Sequence, residues 1–237
     1  MQFVEAFESR TLFAITASAV DLAGPVTKGT VHSYVVLNSG VYAGTATETE
    51  YGPVKMNGKT IFKDETTTTT AAGQAGPTTG TYGLLNNKYG QRIYQSTVVG
   101  AGSRSSRTIV GTQLDPAQIA LPAALTSGQN YQSVGTATET TTVGTATPTV
   151  RTYAYSVVQS LRAKVTSVKT AIGTYKTYIV DTTVTAVING VRRITSTSAY
   201  YALGVGIVKQ VTVVASSDSG TKVSTERSLI GFKIGKA

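Results

Sequence analysis

Apolar and polar residues alternate along much of this chain. Residues 151–157 (RTYAYSV) and 209–213 (KQVTV) both follow a period of two, and stripes with a period near 3.6 are scarce. A period of two is typical of a half-buried β-strand. We therefore predict an all-β fold whose sheet is mostly antiparallel.

Two Asn-Gly pairs mark predicted hairpin turns. Asn57-Gly58 and Asn189-Gly190 each lie between β-type runs, and both residues of such a pair readily adopt the positive φ values of a type I′ turn. Gly58 and Gly190 are therefore predicted turn residues. We predict a structural turn at Gly204 and Gly206 as well, because glycine permits the backbone conformations of a tight turn or bulge. A ligand-contacting backbone is the alternative for this pair.

One short segment favours a helix. In residues 114–119 (LDPAQI), Asp115 is suited to cap a helix and Pro116 to occupy its first position. We predict one helix of a turn or two there.

Residues 66–80 and 100–109 lack the pattern of a buried strand. The first segment, TTTTTAAGQAGPTTG, has no large apolar side chain and is predicted to be a mobile loop or the tip of a long hairpin. The second, GAGSRSSRTI, sets a soft internal boundary near residues 100–120 within a single β domain spanning 1–237. GTATET occurs at 44–49 and at 135–140, so the two halves are possibly duplicated units of one continuous sheet.

The composition excludes several classes of catalytic and metal-binding site. The 237 residues include 41 threonines, one histidine and no cysteine, so thiol catalysis, iron–sulfur clusters, thiolate zinc sites and disulfides are excluded. A serine triad would have to use His32, and no G-x-S-x-G motif occurs. Gly204-Val-Gly206 lacks the third glycine and the helix of a dinucleotide loop. We expect no metal and no cofactor.

Targeting signals are weak. No run approaches the ~18 apolar residues of a membrane-spanning helix. The first residues resemble an export signal faintly, but Glu5 and Glu8 precede an apolar run that is too short, so no signal peptide is evident.

The excess positive charge lies in the second half of the chain. Residues 1–150 carry nine basic and nine acidic side chains, whereas 151–237 carry twelve basic and three acidic ones. The candidate contacts for an anion or an anionic surface are Arg162, Lys164, Arg192, Arg193 and Lys209. The alternative is a solvated sheet face that discourages aggregation. Nucleic acid is not expected, since no recognition helix and no ribonucleoprotein-type motif occurs.

Glu48 and Glu50 alternate on one predicted strand. Their side chains would face the same side about 7 Å apart, within the spacing of an inverting glycosidase pair. Solvated acids on a threonine-rich surface are the alternative interpretation.

Four separated patches carry a family resemblance. They are residues 26–34 (VTKGTVHSY), 121–131 (LPAALTSGQNY), 168–178 (VKTAIGTYKTY) and 200–209 (YYALGVGIVK). Together they resemble bacterial secreted or periplasmic domains of unknown function related to the lipoprotein-carrier half-barrels. Where that group often has tryptophan, this chain has His32, Tyr131 and Tyr200. Its PAG turn reads Ala171-Ile172-Gly173, which keeps Gly173 as a turn residue.

The resemblance implies a curved antiparallel sheet or an incomplete barrel with an apolar concave face, located in the periplasm or outside the cell. It implies no enzyme activity. Our first hypothesis is a non-catalytic exported envelope protein that binds a lipid, another amphipathic ligand or an anionic envelope polymer. The second is a structural or adhesive module that assembles through sheet edges, and the third is a glycoside hydrolase acting through Glu48. The oligomeric state does not follow from the sequence.

Overall fold

The structure is a computed structural model, and it describes residues 14–25, 27–56, 59–86, 88–217, 220 and 222–235. Within these residues the chain forms one helix and fifteen strands. The helix is α1 (Ala19–Ala23). The strands are β1 (Thr16–Ser18), β2 (Val31–Asn38), β3 (Val41–Met56), β4 (Lys59–Thr70), β5 (Ala75–Asn86), β6 (Gly90–Val99), β7 (Thr108–Leu121), β8 (Ala124–Thr126), β9 (Asn130–Val143), β10 (Thr149–Leu161), β11 (Thr166–Thr170), β12 (Gly173–Ile188), β13 (Val191–Ala202), β14 (Gly206–Ser216) and β15 (Lys222–Lys233).

The main sheet is antiparallel throughout and closes on itself. Its order is β10-β9-β7-β6-β5-β4-β3-β2-β15-β14-β13-β12-β11, and β10 also pairs with β12 from Tyr155↔Ala186 to Leu161↔Val180. Twelve strands therefore make a barrel, and β11 is an extra strand paired with β12 alone. The antiparallel all-β prediction is confirmed.

The expectation of a curved sheet or incomplete barrel is wrong. Register shifts interrupt seven of the strand pairs, including β2–β3 after Val36 and β3–β4 after Glu50. Each irregularity of this kind bends and twists its strand, and closure pairs the backbone groups that an open edge leaves exposed. The alternation of apolar and polar residues does not show where a strand bends. The sequence therefore indicated a curved sheet, but it did not indicate that the sheet would curve far enough to close.

The helix prediction at residues 114–119 is also wrong. These residues lie within β7, where Leu114 and Asp115 pair with Ala137 and Thr136 of β9. Pairing with β6 and β9 on either side outweighs the local capping preference of Asp115 and Pro116. The described helix is α1, and the side chain of Ser18 accepts a hydrogen bond from the Asp21 N–H at its start.

The threonine-rich segment 66–80 is the tip of a long hairpin, one of the two predicted alternatives. β4 continues to Thr70, and β5 starts at Ala75. Residues 100–109 contain the turn between β6 and β7. Both halves of the chain contribute to the one barrel, and their duplication stays a prediction.

The predicted turn glycines that the structure describes lie in turns or at the ends of strands. Asn189 and Gly190 have φ values of 52° and 79° between the paired residues Ile188 and Val191. Gly173 begins β12, and Gly204 and Gly206 flank the β13–β14 turn with φ of 73° and 97°. Gly58 lies outside the described residues.

The two ends of the barrel differ. We call the end with the β2–β3, β4–β5, β6–β7, β9–β10, β12–β13 and β14–β15 turns the hairpin end, and the other the helix end. At the helix end α1 contacts β5, β6, β13 and β14, and Leu22 packs in a buried cluster with Leu121 and Leu125. A Cβ on Gly24 would lie 2.7 Å from the Gly206 nitrogen, so glycine permits this close backbone contact. The helix therefore closes this end with apolar packing.

Candidate functional site

A cavity of about 310 Å³ lies inside the barrel toward the hairpin end. We call it the mouth cavity. Its apolar and aromatic wall consists of Leu114, Ala137, Tyr153, Tyr155, Val184, Ala186 and Ile188. Its polar residues are Ser96, Thr112, Gln118, Arg193 and Thr195. Ligand pockets usually combine a mostly apolar wall with a few polar groups, and their volumes begin near ~300 Å³.

Alternation and register explain this wall. Tyr153 and Tyr155 are two residues apart on β10, so both side chains point into the barrel. Tyr153 pairs with Ala137, and Tyr155 pairs with Ala186 on the opposite neighbour. An alanine beside each tyrosine leaves space that a larger side chain would fill.

Hydrogen bonds fix the base of the cavity wall. The Tyr155 hydroxyl donates to the Pro116 carbonyl at 2.8 Å. Deeper on β10, the Gln159 side-chain amide donates to the Ala120 carbonyl, and Gln159 is almost fully buried. Because both partners belong to β7, these bonds tie β10 to a strand that it does not pair with directly.

Two arginines act on Tyr153. One has a carboxylate partner, and the other has none among the described residues. Arg151 forms an ion pair with Glu139 at 2.6 Å, and its guanidinium lies 6.0 Å from the Tyr153 ring centroid. Among the described residues no carboxylate forms an ion pair with Arg193. Burial raises the pKa of Tyr153, Glu139 raises it further, and Arg151 and Arg193 lower it. Both arginines thus act on the tyrosine at the wall of the mouth cavity.

A second, smaller cavity of about 70 Å³ lies toward the helix end. We call it the acid cavity, because Glu48, Glu50 and Asp64 all line it. Glu50 and Asp64 are paired residues on β3 and β4, and one buried oxygen of each lacks a hydrogen-bond partner. Burial, together with the adjacent Asp64, raises the pKa of Glu50 to about 10. Burial also raises the pKa of Asp64, so the two carboxyls share a proton at neutral pH.

Glu48 and His32 of the acid cavity have partners of their own. Glu48 lies 3.5 Å from an Arg227 guanidinium nitrogen. The ring of His32 donates from Nε2 to the Val205 carbonyl at 2.7 Å and stacks on Phe232. Since a water molecule occupies about 30 Å³ of liquid, this space holds roughly two waters and not a sugar ring. The glycoside hydrolase interpretation of Glu48 and Glu50 therefore gains no support from this cavity.

The structure does not bring the five predicted basic residues together. Arg162 pairs with Asp181 at 2.6 Å, Lys209 pairs with Glu226 at 2.8 Å, and Lys164 is exposed after β10. Arg192 and Arg193 are at the other end of β13, seven residues from the Tyr200 that pairs with Lys209, or about 23 Å at ~3.3 Å per residue. Of the five, only Arg193 lines either cavity.

The sequence interpretation missed most of the mouth cavity. Residues 151–157 were identified as a strand, and their alternation already places Arg151, Tyr153 and Tyr155 on one face. Nothing local indicated that Glu139 would lie opposite Arg151, because that contact depends on the β9–β10 register. Among the described residues, no group of three or more His, Cys, Asp or Glu side chains is arranged to hold a metal ion.

Comparisons with known proteins give a distant likeness. No family model and no curated protein matches the chain. A crystal structure described as a "putative lipoprotein" from Parabacteroides distasonis is 9% identical, covers 89% of this chain and 97% of its own, and has a TM-score of 0.45. A "putative exported protein with YmcC-like fold" from Bacteroides fragilis is 10% identical, covers 91% of this chain and 100% of its own, and has a TM-score of 0.44. Likenesses this distant transfer no ligand and no residue role.

The two descriptions name a lipoprotein and an exported protein. In the described part of the chain, no helix is both long enough and apolar enough to cross a membrane.

Proposed function

We propose that this chain is a non-catalytic exported protein that binds a small amphipathic molecule in the mouth cavity. The observation that carries the proposal is the cavity itself, with about 310 Å³ of space between an apolar wall and a few polar groups. Burying apolar surface of a ligand against Leu114, Val184 and Ile188 would supply most of the binding free energy, about 25 cal/mol per Å². The polar residues would orient the ligand.

Size limits the ligand. With about 30 Å³ per water molecule, the mouth cavity corresponds to roughly ten water molecules, or a ligand of about ten non-hydrogen atoms. A whole diacyl lipid exceeds this volume, whereas a single short alkyl chain with a polar group fits it.

The non-catalytic part of the proposal is supported by how the candidate catalytic groups are used. His32 is held by Val205 and Phe232, and Glu48 is paired with Arg227. Neither group lines the mouth cavity. The exported location is supported by the resemblance of the four sequence patches to secreted and periplasmic domains.

Closure of the barrel weakens the alternative of assembly through sheet edges. Each of the twelve barrel strands has a neighbour on both sides, so the unpaired edges left within the described residues are one side of β11 and the outer sides of the short β1–β8 pair. An anionic envelope polymer stays a possible partner for the exposed Lys164, Lys169 and Lys176, for which the described residues show no ion pair.

The test uses octan-1-ol, a neutral amphipathic probe, titrated into the full chain and followed by two-dimensional ¹H–¹⁵N NMR. We expect saturable one-to-one binding with shifts at mouth-cavity residues. Ala186→Phe fills the cavity from β12 and should weaken binding at least tenfold. The matched control is Ala154→Phe on β10, where the side chain is exposed and pairs with Thr136 outside the barrel.

Urea unfolding of both variants establishes that they are folded. No saturable binding of octan-1-ol to the unmodified chain, or equal binding by Ala186→Phe, would overturn the proposal. Equal loss in both phenylalanine variants would place the probe outside the barrel and would overturn it as well.

A further inference from the structure

The mouth cavity has a charge gradient along the barrel axis. Arg193 pairs in the sheet with Ala186 and with Ser216, the last residue of β14, so it lies near the hairpin end. Deeper along the inward face of β13 come Thr195, Thr197 and the buried Ala199. On the inward face of β10 the order toward the helix end is Tyr153, Tyr155 and Val157, and exposure falls along it. The cavity is therefore cationic at its opening and apolar at its base.

Among the described residues, the three charged groups around Tyr153 sum to a charge of one. Arg151 and Glu139 neutralise each other across the β9–β10 pair, and the Glu139 side chain is only 12% exposed. Arg193 adds a second guanidinium close to Tyr153, and no carboxylate of the described residues balances it. A guanidinium presents paired N–H donors that match a carboxylate or a phosphate.

From this arrangement we infer that the ligand of the mouth cavity is an amphipathic anion, held with its charged group at Arg193 and its alkyl part inside the barrel. This inference rests on the proposed function and adds to it the charge and the orientation of the ligand. Hydroxyl groups of Thr195 and Tyr153 lie on the same wall and supply further hydrogen bonds to the anionic group. A cationic amphiphile would place its charge beside an unbalanced guanidinium, so repulsion weakens its binding.

Neighbouring arginines provide the matched control. Arg192 and Arg193 are adjacent on β13, so their side chains point to opposite faces of the sheet. Arg193 lines the cavity, whereas Arg192 pairs with the exposed Val187 on the outside. Arg192→Gln and Arg193→Gln each remove one positive charge from β13. They differ in the face of the sheet that loses the charge.

The experiment measures the affinity of three probes that share one alkyl chain: octanoate, octan-1-ol and octylammonium. In the unmodified chain we expect octanoate to bind about tenfold tighter than octan-1-ol, since one charge-assisted hydrogen-bonded contact has about this effect. Octylammonium should bind more weakly than octan-1-ol. Because the preference is electrostatic, it should shrink as the NaCl concentration rises.

Arg193→Gln should lower octanoate affinity about tenfold and leave octan-1-ol within twofold. Arg193→Lys keeps the charge and should recover part of the octanoate preference. Arg192→Gln should leave both affinities within twofold. These results together assign the anionic group to Arg193.

Equal affinity of octanoate and octan-1-ol in the unmodified chain would overturn the inference while leaving the proposed function in place. Loss of the octanoate preference in Arg192→Gln to the same extent as in Arg193→Gln would overturn it too, because the effect would then be one of net charge. Failure of every probe to bind overturns the proposed function, and the inference falls with it.

Discussion

The mouth cavity and the acid cavity lie in one barrel and are built by the same alternation of inward and outward side chains. Beside the mouth cavity Glu139 forms an ion pair with Arg151, and Arg193 lies near the opening without an ion pair to a described carboxylate. In the acid cavity Glu50 and Asp64 meet without a cation between them, and burial raises the pKa of both. The partner separates the two cases: the poorly exposed Glu139 has a guanidinium beside it, whereas Glu50 and Asp64 have each other, and a buried charge must be paired or neutralised.

The largest effect is expected where α1 closes the helix end. Leu22 is fully buried, so Leu22→Ala should lower the free energy of unfolding by about 2–5 kcal/mol. Urea unfolding measures the loss, and octan-1-ol affinity should stay unchanged wherever the variant is folded. Leu203→Ala at the same end is the control, because Leu203 is 51% exposed and its change should stay within about 0.5 kcal/mol. A similar cost at both sites would mean that α1 does not pack as described.

The next effect is a pH dependence at Glu50. Its ordinary pKa is 4.5, and the folded value is about 10, so between these pH values the folded chain holds a proton that the unfolded chain has released. The free energy of unfolding therefore falls as pH rises through this window, by up to about 1.4 kcal/mol per pH unit. Glu50→Gln removes this titration, and its amide can donate to Asp64. We expect a flatter stability profile from pH 6 to 9 and a variant that is more stable than the unmodified chain at pH 9.

Glu65→Gln is the control for that measurement. A hydrogen bond from Lys63 lowers the pKa of Glu65, so its contribution exists above the unfolded pKa and is lost as pH falls through the folded value. This variant should therefore leave the slope between pH 6 and 9 unchanged. A Glu50→Gln profile with the unmodified slope would contradict the shared proton.

A smaller effect is expected at Tyr34, which lines the acid cavity. Its hydroxyl donates to the Ile207 carbonyl at 3.1 Å, and the residue is buried. Tyr34→Phe should cost about 1 kcal/mol in urea unfolding, the usual value of one buried hydrogen bond. Tyr51→Phe, which removes a bond to Glu65 at the surface, should cost less. The reverse order would show that the barrel interior is more hydrated than its burial indicates.

The smallest effect on stability is expected at the mouth. Arg193 is exposed and has no ion pair with a described carboxylate, so Arg193→Gln should change the free energy of unfolding by less than about 0.5 kcal/mol. Unfolding of the variant beside the unmodified chain checks this. A larger loss would show that Arg193 supports the barrel itself, and the octanoate comparison would then need Arg193→Lys to separate the two roles.

Local patterns predicted the strands well and the closure poorly. The run at residues 151–157 is part of β10, and the Asn189-Gly190 pair connects β12 and β13 as expected. Closure depends on β10 meeting β12, a contact between strands separated by β11, and on register shifts that no local pattern shows. At residues 114–119 the local signal for a helix was real, but pairing with β9 decided the conformation.

The site was predictable only in part for the same reason. The sequence identified both Arg192 and Arg193 as candidate contacts. Adjacent residues of a strand face opposite sides of the sheet, so the two could not both line the cavity. Glu50 was noted beside Glu48, whereas its actual partner Asp64 lies on the next strand. A sequence shows which residues share a face of one strand, and the register between strands decides which of them meet.

The pairing of β2 with β15 makes the order of the barrel strands circular. Val31 at the start of β2 lies opposite Lys233 at the end of β15, and the Gly235 N–H donates to the Thr30 hydroxyl at 3.1 Å. Residues near 30 and near 235 are thus neighbours, so a short linker could join them while the chain is cut at an exposed turn such as Asn189-Gly190. Such a permutant omits the residues before 30, and with them β1 and α1, but it would keep every strand pair of the barrel. Only the covalent β12–β13 connection of the barrel would be lost, and the new chain ends would lie beside the mouth cavity.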